Sequence, residues 1–153
     1  MAFNKVFKFK EQLKTGLKGE DLFIKKYHNL NPRKSSFREV DIFINNNEKV
    51  ELKSDQYPES KTGNFFIELV GNDVSGKLGG PHLSLKNGVD WFVYHYSNDN
   101  TFYWFNVKKL CKYIDENSLK YKVKKIKNYT YNSIGILIPR SDLEHLIVRK
   151  DKF

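Results

Sequence analysis

Two carboxylates and a lysine lie close together in the sequence, at Asp41, Glu51 and Lys53. Side chains alternate between the two faces of a β-strand, so Glu51 and Lys53 would share one face while the apolar residues beside them face the core. Mg²⁺ is usually bound by one or two carboxylates together with phosphate oxygens. These residues could therefore hold a divalent cation and activate a water, with the Leu52 carbonyl as a further candidate ligand. The alternative is a surface hairpin whose Glu51–Lys53 pair is worth less than ~1 kcal/mol.

The three residues fall on a predicted β-hairpin. Residues 41–44, Asp-Ile-Phe-Ile, and residues 50–53, Val-Glu-Leu-Lys, have the composition of two strands. The polar run 45–48 between them can turn the chain. A hairpin of this kind would bring Asp41 and Glu51 to one edge of a sheet.

A third carboxylate, Glu20, belongs to a predicted helix from Leu13 to Tyr27. Apolar residues of this segment recur at spacings of about three and four and form one stripe: Leu13, Leu17, Ile24 and Tyr27. Glu20 falls in the middle of that stripe, and an unpaired buried carboxylate is costly. We therefore expect Glu20 to face the Asp41 and Glu51 site. The alternative is that Glu20 lies at the exposed end of the stripe and pairs with Lys18.

The arrangement Glu20…Asp41…Glu51-x-Lys53 resembles that of the PD-(D/E)xK nuclease superfamily, and is similar to Holliday-junction resolvases and small phage endonucleases in it. Further similarity lies in residues 61–68, in Gly79-Gly80 and in residues 89–94, so the resemblance spans roughly residues 10 to 110. One departure is Val40, which stands where many members have proline.

The resemblance implies an α/β fold with a restriction-endonuclease-like mixed central β-sheet flanked by helices. It also implies Mg²⁺-dependent (or Mn²⁺-dependent) hydrolysis of DNA, structure-specific for branched substrates such as Holliday junctions. Asp41 and Glu51 would hold one or two metal ions, Glu20 would complete the ligand set, and Lys53 would position the attacking water. A homodimer would let two sites cut paired strands.

Composition agrees with a small nucleic-acid enzyme. The chain has 153 residues, which predicts one domain over 1–153, and a net charge of +9, which favours a polyanionic partner. Candidate phosphate contacts are basic residues on or near the predicted site, although each could be merely solvated, and His82 a plain loop histidine: Lys18, Arg38, Lys61, Lys77, His82 and Lys86.

The remaining segments predict elements around the sheet. Residues 65–70 predict a third strand on which the Glu68 side chain could point towards Glu51. Asp55, two residues after Lys53, would lie on the same strand face as Lys53. Both acids could support the metal site or add a ligand to it. Residues 91–96 and 102–107 predict an aromatic hairpin, 107–117 a helix, 118–132 a basic strand or arm that could follow a phosphate backbone, and 134–138 a last strand. A capping-box pattern from Ser141 to Glu144 predicts a final helix to about Arg149.

The sequence has no apolar run of membrane length and no signal-peptide pattern, so we expect no membrane partner and a cytoplasmic location in a bacterial or phage-infected cell. Three functional alternatives stay open. The chain could be a catalytically silent nucleic-acid-binding protein with a nuclease-like fold, or a basic accessory protein whose motif is coincidental. It could also be an exonuclease or an RNA-directed nuclease with the same site.

Overall fold

The structure is a computed structural model that describes residues 18–56 and 63–153. The described residues form four helices: α1 (18–26), α2 (Gly80–Lys86), α3 (Val107–Asn117) and α4 (Arg140–Leu143). Their ten strands are β1 (Arg33–Lys34), β2 (Ile42–Ile44), β3 (Glu48–Asp55), β4 (Asn64–Asn72), β5 (Lys77–Leu78), β6 (Trp91–Tyr96), β7 (Thr101–Asn106), β8 (Lys122–Lys127), β9 (Asn132–Pro139) and β10 (Ile147–Lys152). Short 3-10 turns cover His28–Leu30, Ser118–Lys120 and Glu144–Leu146.

The strands form two sheets. The first has six strands in the order β1-β2-β3-β6-β7-β10, and it is mixed because β3 and β6 run parallel while the other neighbours are antiparallel. The second is antiparallel, in the order β5-β4-β9-β8. The predicted α/β class with a mixed sheet is confirmed. The predicted strand at residues 65–70 exists as part of β4, but it belongs to the second sheet.

Each face of the mixed sheet buries its own set of apolar side chains. One face packs against α1, and the core between them includes Phe23 and Tyr27 from the helical segment and Val50, Val93 and Trp104 from the sheet. The opposite face packs against the second sheet and α3, with a core that includes Phe65, Ile67, Tyr94, Phe105, Leu110, Ile136 and Ile138. Burial of each such side chain contributes about 1.5–3 kcal/mol. Because Val50 faces α1, the alternation of β3 directs Glu51 and Lys53 towards the second sheet.

Both predicted hairpins are present. β2 pairs with β3 across the asparagine turn, where Asn45 and Asn47 have positive φ angles of 43° and 66°, a conformation that asparagine tolerates better than most residues. β6 pairs with β7 around the turn at residues 97–100, and α3 covers the predicted helix at 107–117. The predicted basic segment contains β8, and the predicted apolar strand at 134–138 lies within β9.

The predicted final helix from Ser141 to about Arg149 is wrong. α4 ends at Leu143, and after a 3-10 turn the chain becomes β10, which pairs with β7 in a register that includes Lys150 opposite Tyr103. Pairing covers the open edge of an aromatic strand, and this tertiary gain outweighs a local helix-start signal.

The helix predicted from Leu13 to Tyr27 is described only from residue 18 onward, so Leu13 and Leu17 lie outside the described residues. In the described part, Phe23 and Tyr27 are fully buried while Ile24 is half-buried. The buried stripe of α1 is therefore centred on Phe23, which the predicted stripe did not include. Among the described residues, no helix is long and apolar enough to cross a membrane.

Candidate active site

Asp41 lies directly before β2, where its side chain accepts a hydrogen bond from β3 that a backbone carbonyl would accept if β2 were longer. β2 pairs with β3 only as far as Ile42 opposite Val50, and beyond that point the Leu52 N–H donates to Asp41 Oδ2 at 2.8 Å. The N–H and the carbonyl of one strand residue lie on the same edge, so the Leu52 carbonyl is on the Asp41 side of β3. One carboxylate thus anchors the end of β2 beside an edge that offers backbone oxygen.

Glu51 lies next to Asp41, and the two carboxyl groups are hydrogen-bonded to each other. The pKa of Glu51 is raised to about 9, first by burial and then by the charge and hydrogen bond of Asp41, while the charge of Lys53 opposes the shift. Burial also raises the pKa of Asp41, against hydrogen bonds from Leu52 and Glu51 that lower it. Two carboxylates this close cannot both stay charged without a cation, so the pair shares one proton at neutral pH.

Glu20 is half-buried on α1 and belongs to the same electrostatic cluster. Burial raises its pKa, the charge of Asp41 raises it further, and Lys34 lowers it. Lys34 itself is bound to Asp21, with 2.6 Å between its Nζ and Asp21 Oδ1. The structure therefore places Glu20 within electrostatic range of both Asp41 and Glu51. Among the described residues, Lys18 is not among the groups that shift the Glu20 pKa.

Gly19 explains how α1 brings Glu20 so close to β3. A Cβ at this position would lie 2.0 Å from Ser54 Oγ and 3.4 Å from His95 Nδ1. A side chain at this position would require the Ser54 hydroxyl to move, so glycine allows the close approach seen here. The Gly-Glu pair of the motif thus has a packing role at its first residue and an electrostatic role at its second.

Lys53 lies between two acidic groups. It shares a strand face with Glu51, and its charge lowers the pKa of both Glu51 and Glu68, opposing the larger effect of burial at each. Glu68, on β4, is packed against glycine backbone: a Cβ at Gly79 would lie 2.1 Å from Glu68 Oε1, and one at Gly80 would lie 2.1 Å from the Glu68 carbonyl oxygen. Gly79 and Gly80 therefore let the start of α2 pack closely against Glu68.

Glu51 and Glu68 open into one cleft of about 350 Å³. Two predicted phosphate contacts, Arg38 and Lys77, also line this cleft. The remaining walls come from the loop between β1 and β2, from β4, from β5 and the start and end of α2, and from the turn before β9. Their residues are Glu39, Gly71, Asn72, Leu78, Gly79, Gly80, Leu83, Ser84, Asn87 and Tyr131. The cleft therefore joins the carboxylate cluster to a surface of mixed polar character.

Several predicted site residues lie elsewhere. Asp55 shares the face of Lys53 but accepts a hydrogen bond from the Tyr94 hydroxyl, which ties it to the sheet. His82 lies on α2 with its Nε2 2.8 Å from Asp115 Oδ1 of α3, so it joins two helices and does not line the cleft. Lys18 and Lys86 are exposed and outside the cleft lining, and Lys61 lies outside the described residues.

Five polar residues of the cleft were not predicted: Glu39, Asn72, Ser84, Asn87 and Tyr131. Tyr131 falls in the lysine-rich segment that predicted only a phosphate-following arm, and Asn87 ends a short glycine-flanked helix. Neither carries a motif, because their position depends on how β4 and β9 pair across a long stretch of chain.

The donor chemistry fits a hard cation with two protein carboxylates. Among residues 18–56 and 63–153, no three His, Cys, Asp or Glu side chains are grouped so that they could hold a metal ion. Asp41 and Glu51, with the carbonyl edge of Leu52, form an oxygen-only set of the kind that suits Mg²⁺ or Mn²⁺, which commonly keep water and substrate oxygens as their other ligands. Glu20 adds negative charge nearby without completing a three-ligand group.

Comparisons of the chain with protein-family models, curated proteins and solved structures find no match.

Proposed function

We propose that this protein is a Mg²⁺-dependent DNA endonuclease of the PD-(D/E)xK type, with a restriction-endonuclease-like sheet. The observation that carries the proposal is the hydrogen-bonded pair Asp41 and Glu51, held at the end of β2 with Glu20 on one side and Lys53 on the other. Nothing in the packing of a hairpin needs three carboxylates at one place, and their mutual repulsion opposes folding.

The residues of this chain divide the work of hydrolysis between them. Asp41 and Glu51 would hold Mg²⁺ or Mn²⁺, and Glu20 would strengthen the negative field that attracts it. The bound ion would supply Lewis acidity and lower the pKa of a water. Lys53, on the Glu51 face, is placed to orient the attacking water and to stabilise negative charge on the phosphate.

The net charge and the resemblance of the motif support DNA as the substrate. The net charge of +9 favours a polyanion, and Arg38 and Lys77 place two cations on the cleft that contains Glu51. The superfamily that the motif resembles acts mainly on DNA, and recognition of a branch or junction through phosphate contacts suits a chain of this size. If the protein acts as a junction resolvase, we propose that it works in the cytoplasm as a homodimer whose two sites cut paired strands.

A second candidate is a catalytically silent protein that binds nucleic acid. The observation in its favour is that Asp41 and Glu51 satisfy each other through one shared proton, so the pair can persist without a cation. In that case the cleft and its cations bind a strand and nothing is cut.

The test is cleavage of a labelled four-way junction, a linear duplex and a single strand in Mg²⁺, in Mn²⁺ and in EDTA. We expect metal-dependent cutting that Glu51→Gln reduces at least about 100-fold, the scale for removing a group that acts at the reacting atoms. Glu48→Gln, a half-buried glutamate at the start of the same strand, is the matched control and should cut normally. Binding without cutting in either metal would refute hydrolysis and favour the silent binder. Circular and end-labelled substrates separate endonuclease from exonuclease action, and an RNA strand tests the RNA-directed alternative.

A further inference from the structure

The cleft beside Glu51 has the size and lining of a pocket for one small polar group. Its volume of about 350 Å³ is at the low end of the ~300–1,000 Å³ that small-molecule sites enclose. Duplex DNA is far too wide to enter such a space, whereas a single base with its sugar is of the right order. A nucleotide must therefore leave the duplex stack before it can occupy the cleft.

Polar groups without partners converge on this space. Among the residues that the structure describes, neither the Asn87 side-chain amide nor the Tyr131 hydroxyl has a hydrogen-bond partner, although both residues are half-buried. Arg38 and Lys77 likewise have no carboxylate partner within hydrogen-bond distance in that part of the chain. These side chains are open to solvent and make no bond to the described protein, so they are available to a ligand in the cleft.

The types of these groups indicate what the ligand is. A tyrosine ring offers a face on which a base can stack, and an amide offers both a donor and an acceptor for the edge of the base. The two cations suit the phosphates on either side. Glu51 also lines the cleft, so the carboxylate pair lies next to whatever occupies it.

From this arrangement we propose that the cleft binds one unpaired nucleotide of a nucleic-acid strand, with its base against Tyr131 and Asn87 and its phosphates towards Arg38 and Lys77. The proposal rests on the proposed function for its choice of a nucleic-acid ligand. It adds that the protein selects a site where a nucleotide is single-stranded, bulged or splayed at a branch, and that a continuous duplex is a poor occupant.

The experiment measures binding in EDTA, so that it does not depend on cutting. Fluorescence anisotropy gives the Kd of the wild-type chain for a labelled single strand, for a duplex with one unpaired nucleotide and for the continuous duplex. We expect Tyr131→Ala to weaken the first two about fivefold or more, the lower end of the effect of losing one base-stacking aromatic, and to leave the third within about twofold. Tyr131→Phe keeps the ring and should restore binding.

The matched control is Tyr129→Ala, which removes an exposed tyrosine from the same turn outside the cleft and should leave all three Kd values unchanged. Asn87→Ala, at a second residue of the cleft lining, tests the pocket independently if Tyr131→Ala does not fold. Equal effects of Tyr131→Ala and Tyr129→Ala, or equal losses on unpaired and continuous DNA, would overturn the proposal. Saturable binding of a free nucleoside monophosphate without binding of the strand would overturn it too. Tyr131-dependent strand binding without cleavage in any metal would support the pocket while refuting hydrolysis.

Discussion

The shared proton of Asp41 and Glu51 makes the stability of the protein depend on pH. Because the Glu51 pKa rises from 4.5 to about 9 on folding, the native state binds this proton more tightly than the unfolded chain does. The stabilisation is complete below about pH 4.5 and is lost as the pH rises through about 9. An ionised Glu51 beside Asp41 is then a buried charge with a like charge next to it.

We therefore predict that Glu51→Gln flattens this dependence. The free energy of unfolding, from urea denaturation, should be similar for variant and wild type at low pH, and the variant should become progressively more stable by comparison as the pH rises towards about 9. Glu48→Gln should follow the wild-type curve, since Glu48 is not part of the cluster. Parallel curves for Glu51→Gln and the wild type would contradict the shared proton.

At the scale of elements, the C-terminal strand fastens the helix that carries Glu20. The hydroxyl of Tyr27, the residue directly after α1, donates to Asp151 Oδ2 of β10 at 2.6 Å and accepts from Trp104 Nε1 at 3.1 Å. Arg149 lies over the Tyr27 ring at 5.0 Å and is bound to Asp151 at 2.6 Å. The position of α1 on the sheet, and with it that of Glu20, depends on this connection.

We predict that Tyr27→Phe destabilises the fold by about 1–3 kcal/mol, because it leaves the buried Trp104 N–H without an acceptor and removes one of the two hydrogen bonds that Asp151 Oδ2 accepts. Urea denaturation at neutral pH measures the loss. Tyr129→Phe removes a hydroxyl from an exposed ring and is the matched control, with an expected change below about 0.5 kcal/mol. Equal free energies for the two variants would show that the hydroxyl does not connect α1 to β10.

The same strand shows where prediction from sequence ends. The hairpins of β2–β3 and β6–β7 and the helix α3 follow from local signals: alternation, asparagine turns and amphipathic spacing. β10 does not, because residues 141–144 carry a helix-start pattern and only the open edge of β7 turns the following residues into a strand. The separation of β4 from the mixed sheet depends likewise on its pairing with distant β9.

The site divides in the same way. Glu20, Asp41, Glu51 and Lys53 could be grouped from sequence because strand parity and a polar interruption of an apolar stripe are local features. Tyr131 and Asn87 could not, since each is an ordinary turn or helix-end residue until the tertiary pairing closes the cleft. His82 was misleading because its glycine-rich surroundings suggested the site, whereas its ring contacts Asp115.

For the molecule as a whole, one exposed sheet edge carries a group of four lysines. β8 lies at the end of the second sheet, and its lysines are all exposed: Lys122, Lys124, Lys125 and Lys127. Lysines on an edge strand oppose pairing with another chain, and these four also offer cations on both faces of the strand that can contact phosphates. Because β8 leads into the turn that contains Tyr131, a strand held along it would reach the cleft.

We predict that replacing Lys122, Lys124 and Lys127 with glutamine lowers DNA affinity on all substrates alike. The slope of log K against log salt should fall by up to about 0.9 per lysine on duplex DNA, measured by anisotropy between about 50 and 200 mM salt. The same substitution of Lys108, Lys109 and Lys112, exposed on α3, removes equal charge from another surface and should leave the slope nearly unchanged. If both triple variants lower the slope equally, net charge alone attracts DNA. If the β8 variant binds normally but forms larger species on size exclusion, the lysines serve only to protect the edge.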